Sequence, residues 1–276
     1  MVGINNEEKF IKKMKKRHLY HIVDRSPWPI LSAAAVFFLT SGFVLYIHRV
    51  ENGFLVFILG LIMLVSVFYV WWRDVVREST YQGNHTLIVQ RGLKLGFILF
   101  LCTEVMFFSG FFWAYFHSSF SPSVFIGSVW PPVNVVVLSP WGIPMLNTAL
   151  LLLSGVSITW AHFAILEGNY YSAKNAFIFT LSLAIIFTLL QIWEYFNAPF
   201  NLSDSVYGSA FYSLTGLHGF HVIIGTIFIA VCFYRLLNLH FTTTHHIGFE
   251  LAAWYWHFVD IVWLFLYVFI YIWGSW

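Results

Sequence analysis

The 276 residues are 59% hydrophobic and 21% aromatic, with only 9% Asp, Glu, Lys and Arg and a formal net charge of +2. Soluble domains carry roughly 25% charged residues, so the composition excludes a soluble globular protein and points to an all-α, polytopic membrane protein. The small basic excess by itself says nothing about a nucleic-acid partner, and none is expected. Cys102 and Cys232 lie in apolar runs without motif-like spacing, which reads as two small core residues and neither a disulfide framework nor a thiolate metal site.

In chain order, residues 1–28 form a Lys-rich arm with no signal-peptide pattern. Glu7 and Glu8 within it disfavour a transit peptide, so the chain is expected to be mature as written. Within this arm His18, His21 and Asp24 have the titration range to gather protons at a membrane surface, against the plainer reading of idle terminal residues. Seven segments then pass the length and charge test for spanning helices: 29–47, 53–72, 95–116, 142–166, 175–193, one within 205–234, and 251–275. The polar segment 73–94 divides a leading helix pair, 29–72, from five following helices, 95–276. No internal repeat is visible, which disfavours a repeat-built transporter.

Thirteen of the 14 basic residues fall on one side if the N-terminus is inside, with only Arg49 facing out. The positive-inside rule therefore places the N-terminus inside and, after seven spans, the C-terminus outside. The uncharged stretch 117–141, with Pro122, Pro131, Pro132 and Pro140, reads as an ordered outer loop with Trp130 and Trp141 as interfacial anchors.

The third span carries one formal charge, Glu104, at its tenth residue, about 14 Å along the helix. Its neighbours three and four residues away are Phe100, Leu101, Phe107 and Phe108, so its own helix offers no cation. Glu104 must therefore find a partner on another segment or hold a proton for much of the time at neutral pH. Both structural glue and a proton-handling role fit. Asp260 sits at similar depth in the last span, with His257 three residues earlier on the same face, as a structural polar contact or a proton relay. His162, His218 and His221 add a histidine population that admits haem or metal ligation. The Glu-x-x-His dimetal pattern and any cysteine pair are absent, so a tightly bound redox metal is not expected.

At the end of the second span Arg73, Asp74, Arg77, Glu78 and His85 form a mixed cluster suited either to phospholipid head groups or to mutual neutralisation. Arg235 with His245 and His246 makes a weaker patch. Glu194 and Glu250 read as water-reachable residues that cap or pair locally. On the residues alone, a proton-coupled carrier, a haem-bearing cytochrome using His218 or His162, and a structural subunit of a proton-moving machine all remain open.

Longer strings narrow this. WWRDVVREST at 71–80, TEVMFFSGFFWAYFHSS at 103–119, LLSGVSITWAH at 152–162, GLHGFHVIIGT at 216–226 and AAWYWHFVDIVWLFLYVFIYIWGS at 252–275 closely resemble subunit III of mitochondrial-type cytochrome c oxidase. The resemblance runs from SPWP at 26–29 to the C-terminus. It implies two leading helices splayed from a five-helix bundle with a lipid-filled cleft. It also implies a non-redox core subunit of the terminal respiratory complex, with no catalytic or metal residue of its own and haem and copper on neighbouring subunits. Its partners would be catalytic subunit I, other oxidase subunits, membrane phospholipids and a respiratory supercomplex. On the same basis Arg73, Arg77, Glu78, His85 and Arg235 would bind phospholipid, and Glu104 would lie near the catalytic subunit. The implied location is the mitochondrial inner membrane with the N-terminus in the matrix, or alternatively a bacterial plasma membrane. The alternative function is an independent proton-coupled transporter.

Overall fold

The computed structural model describes residues 18–133 and 135–275, and the described residues are helical without strands. Seven helices are long and apolar enough to cross a membrane: α1 (Trp28–Ile47), α2 (Gly53–Thr80), α3 (Leu87–Phe120), α4 (Ile143–Leu166), α5 (Tyr170–Asn197), α6 (Val206–Leu237) and α7 (Ile247–Leu266). The last continues through a wide turn at Tyr267–Ile272 and a tight one at Trp273–Ser275. Helices are what a bilayer permits, because each backbone N–H and C=O is satisfied within the segment. Several run past the apolar stretch visible in the sequence. α2 continues through Arg73 and Arg77, and α3 begins before Lys94, because helical hydrogen bonding does not stop where hydropathy does.

The described residues divide into two compact units, with the boundary between residues 93 and 94. In the first, α1 and α2 form an antiparallel pair joined by a turn in which Arg49 and Asn52 adopt positive φ (57° and 61°). Glycines set the spacing reciprocally: a Cβ at Gly42 would strike the Phe57 backbone, and one at Gly60 the backbone of Leu39. Such close approach supplies van der Waals contact where no hydrophobic effect acts between helices. At the far end the Trp28 indole donates to Asp74 (2.8 Å), and the Thr86 hydroxyl donates to the Leu19 carbonyl (2.5 Å).

In the second unit α4 packs on α5 and α7, and α6 packs on α5 and α7. Small residues make the α4–α5 seam: Ser154, Ser157, Ala161 and Ala164 on one side, Ala173, Ala176, Thr180 and Ala184 on the other. α7 fills the centre with Trp256 and Trp263, both fully buried. Their indole N–H groups need acceptors and find them on α4, at Ser154 (2.8 Å) and Thr148 (3.0 Å). Only 6% of the most apolar window of α3 is buried, against 56% for α7. α3 meets the bundle through large aromatic side chains, among them Phe108 and Tyr115. Trp130 is not a surface anchor: it folds in against Tyr115 and Tyr207 and donates to the Tyr115 hydroxyl (3.4 Å). Trp141 stays exposed. Cys232 is buried as anticipated, whereas Cys102 lies on the exposed face of α3 and not in the core, because helix packing alone selects which apolar residues are covered.

Candidate functional site

Glu104 finds its partner on α6. Its Oε2 lies 3.0 Å from His221 Nε2, and the two side chains are 20% and 8% exposed. The other ring nitrogen, Nδ1, is 2.8 Å from the Leu217 carbonyl. A carbonyl only accepts, so Nδ1 carries hydrogen. The contact with Glu104 then holds one proton in either arrangement: a neutral acid donating to a bare Nε2, or an imidazolium donating to a carboxylate. Either way the pair is neutral overall, which is the form a membrane interior tolerates. Phe108 packs on the imidazole (5.0 Å between centroids), and Tyr255 stacks at 6.3 Å. His218, three residues earlier on α6, shares this face but does not reach the pair. It is fully buried between Phe187 and Trp263, and neither ring nitrogen has a hydrogen-bond partner.

Both residues of this pair lie within the part of the chain that a family model matches. The family model for cytochrome c oxidase subunit III matches residues 18–275. The chain belongs to the cytochrome c oxidase subunit III family. It is 57% identical to cytochrome c oxidase subunit 3 of Prototheca wickerhamii over 260 residues, which are 94% of this chain and 99% of the relative. It is 55% identical to that of Ceratotherium simum over 258 residues (94% and 98%), and 53% identical to that of Pisaster ochraceus over 262 residues (95% and 100%). The chain is therefore a multi-pass subunit of an oxidoreductase complex.

The remaining candidates in this subunit III chain fall into separate clusters. Asp260 and His257 do meet on one face of α7, at 3.7 Å, too long for a hydrogen bond. The imidazole also contacts Thr159 of α4 (3.3 Å), and Gly155 leaves room for the carboxylate, since a Cβ there would lie 2.5 Å from Asp260 Oδ2. Asp260 is thus held between α4 and α7, away from the partner that Glu104 uses.

Around the end of α2, Asp74 is the hub. It pairs with Arg73 (2.9 Å), lies 3.9 Å from Arg77 and accepts the Trp28 indole. Mutual neutralisation is therefore real on one edge of the cluster, yet the two guanidinium side chains remain 42% and 58% exposed. His21 joins this cluster through Glu78 (3.7 Å) and the ring of His85 (5.6 Å), and His85 is buried. His18 is exposed and bonds only locally, to the Tyr20 carbonyl, while Asp24 is exposed. The three terminal residues do not form one group.

Arg235 is half-buried at the end of α6, with its guanidinium 4.7 Å over Phe241 and packed against Gly248. His246 packs on His162 at 5.4 Å. Two expectations are corrected. Glu250 pairs not locally but with Lys94 of α3, at 2.6 Å. Glu194 is not water-reachable: it is 3% exposed and bonded to Tyr271 and Gln191. Helix ends look wet in a linear sequence, and only packing shows which are covered. Among the described residues no three His, Cys, Asp or Glu are placed to hold a metal ion.

His240, in the turn after α6 and outside the spans, is held below its ordinary value of 6.5, chiefly by burial and then by the Arg235 guanidinium. A depressed imidazole favours the fold in its neutral form. Its contribution is complete above about pH 6.5 and is lost as pH falls from there through the lower folded value. Acid is therefore expected to loosen the turn at 238–246, with faster amide exchange, corrected for intrinsic rates, at about pH 5.5 than at about pH 7.5. His240→Gln should remove the difference. Equal protection at both pH values would exclude the effect.

Proposed function

We propose that this subunit III supports the catalytic subunit of cytochrome c oxidase without carrying a redox centre. The catalytic subunit reduces oxygen with electrons from cytochrome c, coupled to proton pumping. The observation that carries this reading is the Glu104–His221 pair, a one-proton neutral site in the membrane interior of a chain whose family assembles into the oxidase. Replacing a water-filled or charged interior with such a pair keeps the bundle dry while leaving one exchangeable proton at mid-span. That proton is the chain's link to proton uptake by the complex. The positive-inside bias of the basic residues supports an N-terminus on the matrix side of the mitochondrial inner membrane. The exposed edges of Arg73 and Arg77, with Glu78 and His85 behind them, hold a phospholipid head group, and Arg235 serves a second.

Purification in mild detergent through a tag on this chain tests the assignment. Large haem- and copper-bearing subunits are expected to co-elute, with no haem on this chain once it is separated. A colourless solitary protein that moves substrate in liposomes would replace the reading with an independent transporter. In the same preparation Arg73→Gln with Arg77→Gln should lower the phospholipid retained per complex, and an unchanged lipid content would remove the lipid assignment. Glu104→Gln should leave assembly intact while slowing proton uptake and hastening inactivation during turnover. If both rates match wild type, the proton link is lost.

A further inference from the structure

Near the ends of α4, α5 and α7 lies a buried polar group that the proposed function does not use. Asn147, Gln191, Glu194 and Tyr271 are all 6% exposed or less. Asn147 Nδ2 donates to Gln191 Oε1 (3.2 Å), Gln191 Nε2 donates to Glu194 Oε1 (3.1 Å), and the Tyr271 hydroxyl donates to the same oxygen (2.6 Å). Gln191 Nε2 also donates to the Tyr271 hydroxyl (3.4 Å), so both of its hydrogens and the tyrosine's are used. Two acceptors are left over, Glu194 Oε2 and Asn147 Oδ1, both buried and without a protein donor. Leaving a buried polar atom unsatisfied costs about 1–3 kcal/mol, so two in one small network call for an explanation.

One additional proton answers both. We propose that Glu194 is a neutral carboxylic acid in the folded protein and closes the ring through Oε2–H to Asn147 Oδ1, directly or through one water, clamping the C-terminal turn of α7 to α4 and α5. Both leftover oxygens are then satisfied: Asn147 donates to Gln191, Gln191 to Glu194 and Glu194 to Asn147, with Tyr271 tied in.

The rival arrangement is a carboxylate, with a water donating to both leftover oxygens. Its surroundings argue against it. The groups around Glu194 are Gln191 and Tyr195 on its own helix, Tyr212 from α6 and Tyr271 from the end of α7, none of them cationic. Among the described residues no Lys, Arg or His pairs with it. Glu194 also occupies the last turn of α5, which ends at Asn197, where the helix dipole is negative and disfavours an anion. An unpaired buried charge is the costliest outcome available in this setting.

The clamp engages the wide turn at Tyr267–Ile272. Tyr271 lies within that turn, and its hydroxyl reaches Glu194 from there.

The infrared spectrum of the purified complex tests this. The wild-type minus Glu194→Gln difference is expected to show loss of one protonated-carboxyl C=O band that shifts in D2O, with carboxylate bands unchanged. Glu194→Gln should also keep the wild-type thermal midpoint, because its amide donates to Asn147 as the acid does. Loss of carboxylate bands without an acid band would overturn the proposal. If Glu194→Gln fails to assemble, Tyr271→Phe serves instead. Removing the donor on Oε1 should then displace the acid band, and displacement of a carboxylate band instead would overturn it equally.

Discussion

His221→Leu is expected to destabilise the chain in its complex by about 3 kcal/mol, the scale for removing one member of a buried polar pair. The loss comes from Glu104, not from the imidazole itself. Without Nε2 at 3.0 Å, the carboxyl in the middle of α3 has neighbours that are almost all aromatic or aliphatic. Glu104→Gln should cost far less, about 1 kcal/mol, because the amide still donates to a bare Nε2 and buries no charge. The double variant Glu104→Leu with His221→Leu should recover much of the loss of His221→Leu alone, since two stranded partners are removed together. The thermal midpoint for release of this chain from the purified complex measures all three. Strictly additive effects in the double variant would mean that the two residues are not a pair.

Gly42→Val and Gly60→Val should each separate α1 from α2, at a cost of about 3 kcal/mol, the upper end for overpacking. The obstacle at both positions is the partner's backbone, at Phe57 and at Leu39, and a backbone cannot change rotamer to make room. The two positions stand on opposite helices, so the defects act on the same seam and the double variant should not fold its first unit. The readout is the Trp28–Asp74 hydrogen bond at the far end of the pair, followed by indole N–H exchange. Wild-type protection of that indole in Gly42→Val would show that glycine spacing does not hold the helices together.

The two predictions differ in how far the sequence alone could lead to them. Seven spans, the carboxylates within them at 104 and 260, and the nearness of His257 to Asp260 were all legible, because length, hydropathy and helical spacing are local properties of the chain. Long family-specific strings carried the subunit III resemblance. Partners across helices were not legible. His221 was one histidine among several, and nothing in the spacing of residues 104 and 221 selects it over His218. Glu194 and Glu250 both stand near the ends of apolar runs and look alike in sequence. Packing sends one into a buried ring with Tyr271 and leaves the other in an ion pair with Lys94.

By itself, then, the sequence determined that this chain crosses a membrane seven times, where its charges lie along each span, and to which family it belongs. The spans and the charge placement follow from the free energy of placing each side chain in hydrocarbon and from helical periodicity, and the family from its long specific strings. The tertiary structure decided which polar groups share a proton or a hydrogen bond. A bilayer drives every span to be apolar alike, so hydropathy cannot rank the contacts between spans. That choice falls to close packing at residues such as Gly42, Gly60 and Gly155, and to the need of each buried donor and acceptor for a partner.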